Sequence, residues 1–407
     1  MHNFPEVLPA DSDPASARYF PPASGQYEVK PGLFRLGQDL GNGPADARVF
    51  QFDGNFPLFR QTKLMARAER LEKYYQTCDY PQAVAGAVAR FIAHRLAEEY
   101  SESFRLEEGK EKTHLRCALT GETLAFDAEF QLVGHCRDFA DPTVRRGNSP
   151  GGVFQGRGGG ESQRGGPRGL AQRQGEGYSA AAGGQTRSLR SAGTALQSGA
   201  AALAGKTTGA GCAPTPPYAS ALDALACQVQ EDLAVVCRAP DGKDWLAAVH
   251  LCSPNHWAAE EKVGRAFAIV HAPVAGMAPL NQRSGDLVRA MIERGQYVRF
   301  AWGLGTDTRL NHHPEPPPGI PPKKWQGRSF DPAQPSLFVR LERQVLWGFP
   351  QENASLFLIR TYFRDCAALT PPERRQLRAA LASMTPETLA YKGLTAHRDA
   401  ILEWLSI

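Results

Sequence analysis

The densest set of reactive side chains is Ser253-Pro254-Asn255-His256-Trp257-Ala258-Ala259-Glu260-Glu261-Lys262-Val263-Gly264-Arg265, which leads to His271-Ala272-Pro273-Val274. It gathers imidazole, indole, carboxylate, ammonium and guanidinium groups in one connection between apolar segments. Such connections on a rigid scaffold are where binding and catalytic groups concentrate. An imidazole there can ligate iron, relay a proton or satisfy a hydrogen bond in a core. His271 follows the apolar Ile269-Val270 and precedes Pro273, which fixes the chain exit; this context favours a functional ring. His256 reads as facing solvent. His250 alternates with Ala248 and Cys252 on one strand face and reads as core. His312-His313 sits in a Pro-rich loop, and adjacent extended residues point opposite ways and chelate poorly together.

A second cluster is Arg340-Leu341-Glu342-Arg343-Gln344-Val345-Leu346. In a strand, Arg340, Glu342 and Gln344 share one face, and Leu341, Arg343 and Val345 the other. Arg343 then lies among apolar neighbours, where an unpaired charge is costly, so it should meet an anion: a carboxylate or a ligand group. Arg360-Thr361 comes from the partner strand of the same hairpin. A ladder of structural ion pairs is the alternative reading.

The elements that must carry these groups follow from periodicity and turn signals. Leu233–Arg238 and Trp245–Cys252 form a hairpin across Asp241-Gly242. Leu337–Trp347 and Ala354–Phe363 form a second, turning at Pro350-Gln351-Glu352-Asn353. Tyr297–Leu304 is a strand, and Phe267–Val274 reads as extended, closed by Pro273. Helices are expected at Lys63–Gln76, Pro81–Tyr100, Ala221–Glu231 and Gly285–Arg294. One or two helical turns are expected at Ala258–Val263. Two helices end the chain, the first capped by Thr370 ahead of Pro371-Pro372. In Pro81–Tyr100, Val84, Val88, Phe91, Ile92 and Leu96 share one face. Tyr27–Phe34 is short and extended, and Thr120-Gly121-Glu122 turns between two short strands. Hairpins separated by short helices indicate an α+β fold with an antiparallel sheet.

Composition narrows the function. Residues 141–210 hold 18 of the 40 glycines, and nine Lys/Arg against three Asp/Glu. Without them the chain's net charge of +4 becomes about −2, so its charge gives no case for nucleic acid or membrane partners. That stretch has few large apolar residues and no period, so residues 140–217 read as a disordered insert or a frame artefact. They separate an N-terminal α+β region (1–139) from a C-terminal core with helices (218–407). Gly205-Lys206-Thr207 resembles the end of a P-loop, but Ala200 stands where the first glycine is required. No apolar run approaches the ~20 residues of a membrane span. Met1-His2-Asn3-Phe4-Pro5-Glu6 has no signal-peptide pattern, so a cytoplasmic protein is expected. The eight cysteines form no C-x-x-C pair and no C-x-x-C-H, which argues against zinc ribbons, iron–sulfur clusters and covalent haem. G-x-G-x-x-G at a strand–helix junction, G-x-S-x-G and H-E-x-x-H are also missing, which disfavours a self-contained dehydrogenase, hydrolase or zincin.

Taken in order, six stretches resemble the family of haem-dependent oxidative N-demethylase alpha subunits and their relatives. They are His256-Trp257 through Glu261-Lys262-Val263-Gly264, Ile269-Val270-His271-Ala272-Pro273-Val274, Arg299-Phe300-Ala301-Trp302, Arg340-x-Glu342-Arg343-Gln344-x-Leu346, Phe357-x-Ile359-Arg360-Thr361-Tyr362, and Tyr391-Lys392-Gly393-Leu394. Ala301 departs from the asparagine expected before the tryptophan. The resemblance implies a PAS-like antiparallel sheet holding non-covalent haem b. It also implies oxidative removal of an N-methyl group from a small amine with dioxygen, releasing formaldehyde. Electrons would come from NAD(P)H through a separate flavin and iron–sulfur reductase subunit. On that basis His271 is the axial ligand, with His256 as the second candidate. Lys262, Arg265 and Arg299 would meet the propionates, Trp257 and Trp302 would wall the pocket, and Glu342 and Arg343 would order the site. A PAS-like haem or small-ligand sensor without turnover is the alternative, and a cofactor-free interaction protein is a third reading.

Overall fold

The computed structural model describes residues 4–29, 32–137, 217–326 and 329–406. The chain divides into one unit of Met1–Ala140 with Cys212–Ile407 and a second of Asp141–Gly211. The second, and with it the expected insert, lies outside the described residues.

Among the described residues, eleven strands and ten α-helices follow one another. The N-terminal part holds β1 (Leu33–Arg35), α1 (Phe56–Tyr74), β2 (Tyr75–Thr77), α2 (Gln82–Glu99), β3 (Phe104–Glu108), β4 (Thr113–Cys117), β5 (Glu122–Phe126) and β6 (Leu132–Arg137). Then come α3 (Ala221–Ala226), β7 (Asp232–Arg238), β8 (Asp244–His250), α4 (Phe267–His271), α5 (Ala278–Asn281), α6 (Ser284–Arg294) and β9 (Gln296–Gly305). The chain closes with α7 (Pro322–Trp325), β10 (Phe338–Phe349), β11 (Ala354–Asp365), α8 (Pro371–Ala382), α9 (Pro386–Tyr391) and α10 (Arg398–Trp404). The α+β expectation holds.

The main sheet has seven strands in the order β1-β9-β10-β11-β7-β8-β2, all paired antiparallel. Its two edge strands come from the N-terminal region and its five central strands from the C-terminal one. A second sheet runs β3-β4-β5-β6. The two halves of the chain are stitched by buried polar groups. Glu122 of β5 accepts from Arg60 of α1 (2.6 Å), Tyr218 (2.7 Å) and Gln228 (2.8 Å).

Local chemistry explains the elements. The expected hairpins form: Gly242 turns with φ 91° and Asn353 with φ 49°, both in the left-handed region. Thr370 and Glu373 complete a capping box. Val84, Val88, Ile92 and Leu96 of α2 are buried as the period requires, with Pro81 as the N-cap. Gly348 lets the end of α6 lie on β10, since a Cβ there would meet the Ile292 carbonyl oxygen at 2.0 Å.

Two expectations are corrected. Phe267–Val274 is not extended: Phe267–His271 is a helix, started by Asp244 accepting the Phe267 N–H (2.5 Å) and leaving Ile269 exposed. The first long helix starts at Phe56 and gives way to β2 at Tyr75, where pairing with β8 wins over helical continuation. The expectation of a helical turn at Ala258–Val263 holds in its shorter form, one turn closed by the Val263 N–H on the Ala259 carbonyl (3.0 Å).

Candidate active site on one face of the sheet

Residues opposite one another in antiparallel strands point to the same side, so register sorts the main sheet into two faces. One carries Val298, Phe300, Leu341, Val345, Leu356, Leu358 and Tyr362, all buried in a core shared with α2, α3 and the N-terminal segment. The other carries, in register, Arg299↔Gln344↔Ile359 and Ala301↔Glu342↔Thr361. Over β7 and β8 this second face is packed by α4 and α6 through Phe267, Val288 and Ile292. Over β9 and the middle of β10 it is less covered by the described residues, although Arg340, Gln344 and Leu346 of this face are buried and α6 lies on the far end of β10. Tyr297, Arg299, Ala301 and Glu342 are only half-buried although their strands are interior to the sheet.

The open area has a polar floor. Arg299 Nε donates to Gln344 Oε1 (2.6 Å), and Gln344 Nε2 donates to Glu342 Oε2 (2.9 Å). Among the described residues no carboxylate lies within salt-bridge distance of Arg299. Burial lowers its guanidinium to about 10, partly offset by the Glu342 charge. The hydroxyl of Thr361, buried beside Glu342, has no hydrogen-bond partner among the described residues.

His271 ends α4, which packs over β8. Its Nδ1 lies 2.8 Å from the Phe267 carbonyl oxygen, and its ring stacks on Phe267 with centroids 4.0 Å apart. A carbonyl can only accept, so this contact places a proton on Nδ1, and a neutral ring would then present Nε2 as its ligating nitrogen. Trp257 packs into the same apolar cluster, and Lys262 reaches the Val270 carbonyl of α4 (3.2 Å). His256 is half-buried, stacks on His312 (5.1 Å) and has φ 61°; it does not simply face solvent. Arg265 is exposed, its carbonyl accepting from Leu246 of β8.

Two expected site residues are on the other face. Trp302 is buried under the C-terminal helices, edge-on to Tyr27 at 5.6 Å. Arg343 is buried in the main core and donates to the carbonyls of Arg48 (2.7 Å) and Val49 (3.3 Å). The expected anion is therefore replaced by main-chain oxygens. Residue parity dictates this: Trp302 is three positions from Arg299, and Arg343 one from Glu342.

Gln344, Thr361, Arg340, His312 and Asp307 were not singled out as site residues. Arg340 and Gln344 share the Glu342 strand face in sequence, but only the register brings Ala301 and Thr361 beside them.

Among the described residues, two side-chain groups are close enough to share a metal ion, Asp223/Cys227/His250 and Glu260/His313/Glu315. Protein groups already occupy both. Asp223 is paired with Arg67, His250 (3.1 Å) and the Ala219 N–H (2.8 Å). His313 faces Glu260 (3.3 Å), and Glu315 pairs with Arg70 (2.7 Å). His250 is fully buried on the closed face, as a core histidine.

No helix among the described residues is long and apolar enough to cross a membrane. The groups a haem needs are present on this side of the sheet but are not in contact with one another: an imidazole at the end of α4, and on β9 an arginine with no carboxylate at salt-bridge distance among the described residues. A family model described as haem-dependent oxidative N-demethylase, alpha subunit-like, matches residues 195–402, half of the chain, and the chain belongs to that family.

Proposed function

We propose that the open face holds haem b and that the chain catalyses oxidative N-demethylation of a small methylated amine with dioxygen. The contrast between a filled face and a half-exposed face of the same strands carries this reading, together with the family match. The five central strands run β9-β10-β11-β7-β8, with helices between the second and third in chain order. That connectivity supports a PAS-like core.

When bound, haem supplies the redox-active iron at which dioxygen is activated and the N-methyl C–H bond oxidised. His271 ligates through Nε2, held by its Nδ1–H on the Phe267 carbonyl. Arg299 and Lys262 meet the propionate carboxylates. Trp257 walls the site. The Arg299–Gln344–Glu342 chain fixes the Glu342 carboxylate in one orientation, an anionic contact for a protonated amine. The chain has no dinucleotide motif or C-x-x-C pair. The family resemblance implies electrons from NAD(P)H through a separate flavin and iron–sulfur partner, and the family's description as an alpha subunit supports a partner subunit.

The test is formaldehyde release from methylated amines by the haem-reconstituted chain with dioxygen and a chemical reductant. Formaldehyde in step with amine consumption is expected. A Soret band without formaldehyde would favour ligand binding without turnover, and no Soret band would contradict the haem site.

A further inference from the structure

Above the open face, the turn Ser253–Trp257 is held through one side-chain chain. Arg340 projects from β10 on the Glu342 side and is buried. It donates to the Ser253 carbonyl (2.6 Å), the Leu310 carbonyl (2.9 Å) and His312 Nδ1 (3.1 Å). His312 Nε2 lies 2.9 Å from Asp307 Oδ1. The two loops also bond directly: the His256 N–H donates to the His312 carbonyl and the His312 N–H to the Pro254 carbonyl, both at 3.0 Å. Asp232 accepts the Cys252 and Ser253 N–H groups from below (2.9 and 2.8 Å). His256 is thereby kept at positive φ with its ring on His312.

We propose that Asp307, His312 and Arg340 form a positioning chain that clamps the Ser253–Trp257 turn, holding His256 and Trp257 at the rim of the open face. The consequence at the rim rests on the proposed haem site; the clamp itself does not. Arg340 offers only N–H groups, so the contact requires a lone pair at His312 Nδ1 and places the proton on Nε2, toward Asp307. A second proton would set N–H against N–H. The charged and titratable groups around His312 are Asp307 and Arg309 of its own loop, Arg340 of β10 and His256 of the turn. Asp232 and Glu342 act in turn on Arg340. Burial, opposed by Asp307, lowers His312 from 6.5 to about 4. Between these values the folded chain binds fewer protons than the unfolded one. The clamp is therefore intact above 6.5 and weakens as pH falls toward 4.

Hydrogen–deuterium exchange on the full chain without haem tests this. His312→Leu should lower protection of the peptides at 253–257 and 309–313 about tenfold, leaving the β3–β6 sheet unchanged. His312→Asn, whose carbonyl can accept from Arg340, should recover most of that protection. Wild-type protection at 253–257 should fall between neutral pH and about pH 4.5, while that of His312→Asn should not. Circular dichroism reports folding, and if His312→Leu fails to fold, the pH comparison decides alone. Three outcomes would overturn the proposal: the turn stays as protected in His312→Leu as in wild type, His312→Asn rescues nothing, or the two pH profiles coincide. Haem titration of the same proteins separates the two ideas, since failure of the wild type to bind haem removes the proposed function and leaves the exchange result standing.

Discussion

The two faces of the seven-stranded sheet use arginine in opposite ways. On the closed face, Arg343 and Arg360 stand opposite each other in register, both fully buried, and both are answered by fixed protein groups. Arg343 meets main-chain carbonyls; Arg360 meets the Gln51 and Thr361 carbonyls and Asp53 (2.7 Å). On the other face, the one side-chain partner of Arg299 among the described residues is the amide oxygen of Gln344. A buried arginine held by several fixed protein oxygens is architecture, and one held by a single amide oxygen on a half-buried strand face is a candidate binding group.

That comparison can be broken by mutation, most severely on the closed face. Arg360→Ala strands the buried Asp53 carboxylate and should cost about 3–5 kcal/mol in chemical denaturation. Leu358→Ala empties a fully buried position of the same face and should cost about 2–5 kcal/mol. The open-face counterpart is Ala301→Leu. It should change stability by less than about 1 kcal/mol while obstructing haem or amine binding; a cost of several kcal/mol would mean the site is already packed. Arg299→Gln should leave the denaturation midpoint nearly unchanged and weaken haem affinity about tenfold, read by Soret titration.

The faces should also differ in acid. Burial raises Asp53, but Arg360 and three hydrogen-bond donors outweigh it and hold its carboxyl below 3.8. A lowered carboxylate contributes stability above its unfolded value that is lost as pH falls through the folded one. Wild-type stability should therefore drop below about pH 3.8, and Arg360→Ala should lack that part of the drop, as followed by denaturation at several pH values.

Much of this was legible in the sequence. Alternation assigned Arg340, Glu342 and Gln344 to one face and Arg343 to the other, and Asp241-Gly242 and Thr370 marked a hairpin turn and a helix start that the structure keeps. The same parity places Trp302 on the face opposite Arg299, so the two cannot wall one pocket. What could not be read was register. Nothing local says that Ala301 lies against Glu342 and Thr361, or that Arg340 reaches Ser253 and His312 across long chain separations. The helix at Phe267–His271 was hidden for a similar reason. Its β-branched pair Ile269-Val270 resembles a strand, and the capping carboxylate, Asp244, is supplied by a distant part of the chain.

The most direct measurement is a haem titration of the full chain, followed by its Soret band, beside His271→Ala and His256→Ala, with circular dichroism to confirm folding. Saturable binding by wild type and His256→Ala, and loss of the ligated spectrum in a folded His271→Ala, is the predicted result. An unchanged spectrum in His271→Ala would contradict the assignment of the iron ligand, and with it the open face as the catalytic site.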